Sequence, residues 1–194
     1  MIIESQGWKA ASTDRYDRLT RIFHWLTAAV VIFMFATPHI WQNLEKGPLR
    51  KGLESVHISM GIFLAVLIAA RILWRVSGGL WLAPVSKQKA ANLVAKLAHL
   101  SLYGLLLAQV VLGFMFRWSQ GEPFSFFGLI TMPEPFIVSP ELRHTLAGLH
   151  NNVAWAIIIL SGLHACVALT HHYLLRDGTL QRMLPASRKD LQGR

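Results

Sequence analysis

Four long apolar stretches, Ile22 to Trp41, Val56 to Trp74, Leu93 to Phe116 and Ala147 to Leu175, take up most of this 194-residue chain. Each reaches the twenty or so residues that a helix needs to cross about 30 Å of hydrocarbon. Lipid offers no water to backbone amides and carbonyls, so a segment that crosses it must satisfy its hydrogen bonds internally, as a helix does. The expected fold is therefore all-α, an integral membrane four-helix bundle. Composition agrees: 53% of the residues are hydrophobic and only 15% charged, which is unlike an ordinary soluble domain. The expected division is an N-terminal tail (1–21), one membrane domain (22–175) and a C-terminal tail (176–194). No internal repeat or low-complexity segment suggests anything further.

The formal net charge of +9 raises nucleic acid as a partner, but the basic residues lie beside the spans, where positive-inside bias accounts for them. No nucleic-acid partner is expected. Lys9, Arg15, Arg18 and Arg21 precede the first span; Arg71, Arg75, Lys87, Lys89 and Lys96 surround the second connection; Arg176, Arg182, Arg188, Lys189 and Arg194 follow the last span. These fourteen fall on one side, against five on the other: Lys46, Arg50, Lys51, Arg117 and Arg143. Both termini are therefore expected on the cytoplasmic side. The opening MIIESQGWKAASTDRYDR is polar, with no apolar run of signal-peptide type, and is expected to stay attached. The single cysteine, Cys166, lies within the fourth span and is expected to serve packing.

Turn residues mark the connections: EKGP at Glu45 to Pro48, SGG and LAP around Ser77 to Pro84, and the long QGEPFSFFGLITMPEPFIVSPE before the fourth span. With Phe124, Phe126, Phe127 and Phe136, this last segment suits either a lid along the membrane surface or a plain interfacial connection.

The histidines carry the chemistry. Ionisable side chains are expensive inside a membrane and usually face a partner or a functional site. His150 and His164 stand fourteen residues apart, about four helical turns or roughly 21 Å along one face. His57 and Arg71 repeat that spacing on the second span. His57 can thus face His150 in an outer layer, while Arg71 reaches the layer of His164, where a buried cation calls for an anion such as a haem propionate. His24, early in the first span, supplies the second inner imidazole. Two imidazole pairs on facing helices suit axial ligation of two b-type haems, each needing a nitrogen above and below its plane. Gly61, Gly148 and Gly162 flank these histidines and allow close approach of a flat ligand or of a neighbouring helix. Zinc fits less well, because its ligands surround one point and neither layer has a Cys or carboxylate to complete it.

Interhelical hydrogen bonding alone remains the alternative for any one of these histidines. His171 continues the stripe seven residues beyond His164, followed by His172, and competes as the inner ligand. A 30 Å core counted from Ala147 leaves His164 inside and His171 near the edge. His164 is therefore taken as the ligand, and His171 as a surface group, a propionate contact or part of a quinone pocket. His99 is a further cofactor contact from the third span, and Arg18 a cationic one at the entry to the first. His39 and His144 read as surface residues.

Several stretches together resemble the bacterial cytochrome b561 family, in its four-helix, di-haem branch that includes superoxide oxidase: YDRLTRIFHW (Tyr16 to Trp25), VHISMG (Val56 to Gly61), LAHLSLY (Leu97 to Tyr103), FGLITMP (Phe127 to Pro133), the His150 to His164 spacing and HHYLLRDGTLQRMLP (His171 to Pro185). The resemblance runs from Tyr16 to Pro185. It implies that His24 and His164 ligate a cytoplasmic-side haem b, and His57 and His150 a periplasmic-side one. The tail before Tyr16 is longer than the family's lead-in, and Ile130 is an extra residue in the loop motif.

The resemblance also implies a function: superoxide outside gives electrons, and ubiquinone in the lipid takes them. The five outer cations could steer a small anion, although Glu45, Glu54, Glu122, Glu134 and Glu141 share that side and equally fit a solvated mixed surface. Two rivals stand beside this expectation. One is a cytochrome b subunit serving a partner redox protein; the other is a non-redox bundle whose histidines only bond between helices.

Overall fold

The computed structural model describes residues 15–78, 89–121, 123–132 and 139–185. It contains four helices long and apolar enough to cross a membrane: α1 (Arg18–Trp41), α2 (Pro48–Ser77), α3 (Lys89–Trp118) and α4 (Pro140–Thr170). The helices outrun the apolar stretches. α2 begins at Pro48 rather than Val56, and α4 at Pro140 rather than Ala147. Hydropathy marks only the lipid-embedded part, whereas the helix itself starts where the backbone is capped. In both cases a proline stands at the start, where its missing amide costs nothing. Ser139 caps α4 by accepting from the Leu142 amide at 3.3 Å, and Asp17 caps α1 by accepting from the Thr20 amide at 2.8 Å. Much of the SGG and LAP connection, the residues before Arg15, Lys87, Glu122, Glu134, Phe136 and the chain beyond Pro185 lie outside the described residues.

The closest packing is of α1 on α2 and of α3 on α4; α2 also touches α3, while α1 meets α4 only slightly. The core is small: Val30, Leu64, Leu67, Ile68, Leu106 and Ile157. Side chains such as Ile32, Val66, Leu73 and Leu100 are about two-thirds exposed. Soluble proteins do not display apolar surface on this scale, and lipid is its natural cover. Because lipid is as apolar as leucine, association here rests on fit and on polar contacts between helices. The fully buried Ser59 of α2 is one such contact.

The long outer connection holds a hairpin of β1 (Phe124–Phe126) and β2 (Ile130–Met132), paired antiparallel with Phe126 opposite Ile130. Its turn places Phe127 and Gly128 at φ of 47° and 75°, a region that glycine enters freely and phenylalanine rarely. Ser59 pins the hairpin to α2: its hydroxyl accepts from the Phe127 amide at 2.9 Å and donates to the Ser125 carbonyl at 3.3 Å. Phe124 is buried against the bundle. The described part of this connection is thus a lid.

α4 ends in a π turn, His171–Leu175, and a 3₁₀ turn follows at Leu180–Met183. Residues up to Pro185 then fold back on α1 as a strap. Arg21 donates to the Leu184 carbonyl at 2.9 Å, Trp25 Nε1 to the Met183 carbonyl at 2.9 Å, and the Tyr16 amide to the Arg182 carbonyl at 3.0 Å. The first ten residues of the expected C-terminal tail are therefore packed structure.

Candidate functional site

The bundle gathers its histidines at two levels. At the end where α1 and α3 begin and α2 and α4 finish, His24 and His164 face each other with ring centres 6.4 Å apart. Two imidazoles coordinating one ion from opposite sides, with a metal–nitrogen bond of about 2 Å, place their ring centres roughly 6 Å apart. Arg71 enters the same level, its Nη2 3.3 Å from His24 Nδ1 and its guanidinium over the Tyr103 ring at 5.1 Å. A guanidinium only donates, so His24 Nδ1 accepts in this contact. A cation at this level would suit an anionic group such as a propionate.

His99 of α3 joins this level with its ring centre 5.2 Å from that of His164. Its Nδ1 is bonded to the Ala95 carbonyl at 2.6 Å, and the residue is exposed. The inner level therefore holds three imidazoles. His24 and His164 are the pair with the wider, ion-sized spacing; His99 stands beside them, toward lipid.

At the opposite end stand His57 of α2, beside Trp41, and His150 of α4, beside Phe116. His57 Nδ1 is 2.8 Å from the Thr37 hydroxyl, and the Trp41 ring meets the imidazole edge-on at 5.2 Å. His150 Nε2 is approached at 3.2 Å by the Gln109 amide, while its Nδ1 and the Gln109 Oε1 are buried without hydrogen-bond partners. Gly113 gives the His150 ring its room: a Cβ there would stand 3.1 Å from His150 Cε1. Buried polar atoms are normally satisfied, so an orphaned imidazole nitrogen in a cradle kept open by glycine fits a group that engages this ring. Among the described residues, no three His, Cys, Asp or Glu side chains converge as a tetrahedral metal site needs. The donor set, imidazoles at two depths of one bundle, suits haem iron.

Other candidates are placed elsewhere. Arg18 is exposed in the first turn of α1, away from every imidazole contact just described. A Cβ on Gly61 would meet the Met34 side chain of α1 at an ordinary 3.5 Å, so this glycine serves helix packing. Gly148 and Gly162 face open space. His171 turns to Asp177, whose carboxylate accepts from its Nδ1 and, on the other oxygen, from the Thr179 amide and hydroxyl at 3.0 and 2.7 Å. Burial works against the charged carboxyl, but the bonds from Thr179 and His171 prevail and hold Asp177 down to about 2. His171 thus closes the strap instead of joining the inner imidazoles.

Five contributors escaped the sequence reading: Thr37, Gln109, Gly113, Arg21 and Trp25. Only Thr37 carried a local signal, the Thr-Pro pair inside an apolar helix. At the end of the bundle that carries His57 and His150, Lys46, Arg50 and Lys51 line one groove, and Arg117 and Arg143 line its neighbour, with Glu54 shared by both. Glu54 pairs with Arg50 at 3.0 Å.

Comparison with known proteins points the same way. Residues 15–186 match the family described as prokaryotic cytochrome b561. The chain is 34% identical over 180 residues to cytochrome b561 homolog 2 of Escherichia coli, covering 91% of this chain and 95% of that one. It is 30% identical over 177 residues to a probable superoxide oxidase of Yersinia pestis, covering 90% and 98%, and 30% identical over 179 residues to cytochrome b561 homolog 1 of Escherichia coli, covering 89% and 98%.

Proposed function

The chain belongs to the prokaryotic cytochrome b561 family, whose members bind b-type haem and transfer electrons across membranes, and on that premise we propose that it binds two haems b, oxidises superoxide outside a bacterial inner membrane and reduces ubiquinone. What supports this reading most is an imidazole couple, His24 and His164 with ring centres 6.4 Å apart, at one end of a bundle that carries His57 and His150 at the other. His24 and His164 would hold the cytoplasmic-side haem, and His57 and His150 the periplasmic-side one. When bound, haem supplies a one-electron carrier whose potential its axial ligands and surroundings set.

The chain's own residues do the rest. α4 serves both centres and fixes their separation, roughly 21 Å between its two histidine positions along the axis. Arg71 offers a cation to the inner propionates, and His99 lines the inner level on its lipid side. In the overall reaction, two superoxide anions lose one electron each to become two molecules of oxygen, while one ubiquinone takes both electrons and two protons to become ubiquinol. The substrate assignment is supported by the name of the Yersinia relative and by the cationic outer grooves, where Lys46, Lys51, Arg117 and Arg143 outnumber Glu54. The positive-inside bias supports cytoplasmic termini.

Two measurements test the proposal. Purified protein is expected to show a reducible b-type optical spectrum and to couple superoxide to quinone reduction without any partner. Lack of a b-type spectrum sinks every haem assignment, whereas a spectrum with no turnover until a redox protein is added favours the cytochrome b subunit. Lys51→Glu or Arg143→Glu is expected to slow superoxide oxidation about tenfold at low salt and to weaken its salt dependence; an unchanged rate removes steering from the account.

A further inference from the structure

One proton and its acceptor decide how His57 is presented. Pro38 has no amide hydrogen and interrupts the bonding of α1, leaving the Met34 carbonyl without its usual helical donor. The Thr37 hydroxyl takes that place, donating to the Met34 carbonyl at 3.2 Å. A hydroxyl has one proton and two lone pairs. With its proton committed to Met34, Thr37 Oγ1 can only accept from His57 Nδ1 across their 2.8 Å contact. A neutral imidazole has a single N–H, so His57 Nε2 is left as a bare lone pair. Thr37 is 2% exposed, and water does not compete for it.

The inner level is built with the opposite polarity. Behind His24 Nδ1 stands the Arg71 guanidinium at 3.3 Å, a cation with no acceptor to offer. An acceptor behind a ligating imidazole makes it a stronger electron donor and favours the higher charge of the metal, while a nearby cation favours the lower one.

Resting on the two-haem reading above, we propose that Thr37 is a positioning residue for the outer haem ligand. It locks His57 in the tautomer that presents Nε2 to iron and biases the outer centre toward its oxidised state. With Arg71 biasing the inner centre the other way, an electron that enters outside runs downhill toward the cytoplasmic side.

The test is an optical redox titration of the full-length protein in detergent, in which the outer wave is identified as the one lost in His57→Ala. In Thr37→Val the reduced-to-oxidised ratio of the outer centre at fixed ambient potential is expected to rise roughly tenfold, about 59 mV for a one-electron couple. The inner wave stays in place. Thr37→Ser, which keeps the hydroxyl, restores the wild-type outer wave, a rescue that packing alone would not give. Thr37→Ala reports the same loss if the valine variant fails to fold. Two wild-type waves in Thr37→Val or Thr37→Ala, or a serine variant that shifts as far as valine, overturns the role of Thr37 while leaving the two haems standing. A wild-type protein with no reducible spectrum overturns the two-haem reading and this inference with it.

Discussion

The two ends of the bundle hold the same ligand type in opposite surroundings. At one end, His57 meets the buried Thr37 hydroxyl and His150 sits against Gly113 beside Gln109. A short hairpin pinned by Ser59 covers that end. At the other end His24 meets the Arg71 guanidinium while His164 stands between His24 and His99, and a strap is held on α1 by Arg21 and Trp25. The difference teaches that if each end holds a haem, as proposed, the imidazoles alone cannot set the two apart, and the polarity of the groups behind them would have to.

The strongest way to break this comparison is to remove one ligand at a time. His150→Ala is expected to cut haem content from two per chain to one, with the inner centre retained, and His164→Ala to leave the outer one; pyridine haemochrome analysis reads both. Loss of both haems from either variant would mean that the levels are not independent. Gly113→Val comes next, because its Cβ would press on His150 at 3.1 Å. Outer-haem affinity should fall by about tenfold to a hundredfold in a haem-competition assay, whereas Gly61→Ala, which meets only Met34 at 3.5 Å, should retain both haems.

Arg71→Leu sharpens the electrostatic half of the contrast. Removing the cation should make the inner centre harder to reduce by about tenfold at fixed potential while sparing the outer wave. The smallest effect belongs to the strap. Asp177 is held below its ordinary value, at about 2, so its contribution is complete above about pH 4 and is lost as pH falls through about 2. Hydrogen exchange at the Thr179 and Leu184 amides, corrected for intrinsic rate, should rise across that window. In Asp177→Asn the step should vanish.

Much of the bundle was readable from residue order. The spans were found by hydropathy, although α2 and α4 start earlier than hydropathy suggests because Pro48, Ser139 and Pro140 set the caps. His150 with His164, and His57 with Arg71, were paired by a spacing that is local to one helix. His171 continues the stripe seven residues beyond His164, yet its meeting with Asp177 depends on the turn that follows Leu175 and could not be read from that period. Gln109 and Gly113 could not be found in this way: each matters only through His150 on another helix, and no period within α3 encodes that meeting.

The sequence by itself determined four spans, the histidine-bearing faces and their two depths, since hydrocarbon forces helices and a helix converts residue spacing into direction and height. Tertiary structure alone decided which imidazole meets a hydroxyl, which meets a guanidinium and which is drawn into the strap. Those choices follow from the rotation and approach of separate helices, and in lipid these are set by side-chain fit and interhelical hydrogen bonds rather than by hydropathy.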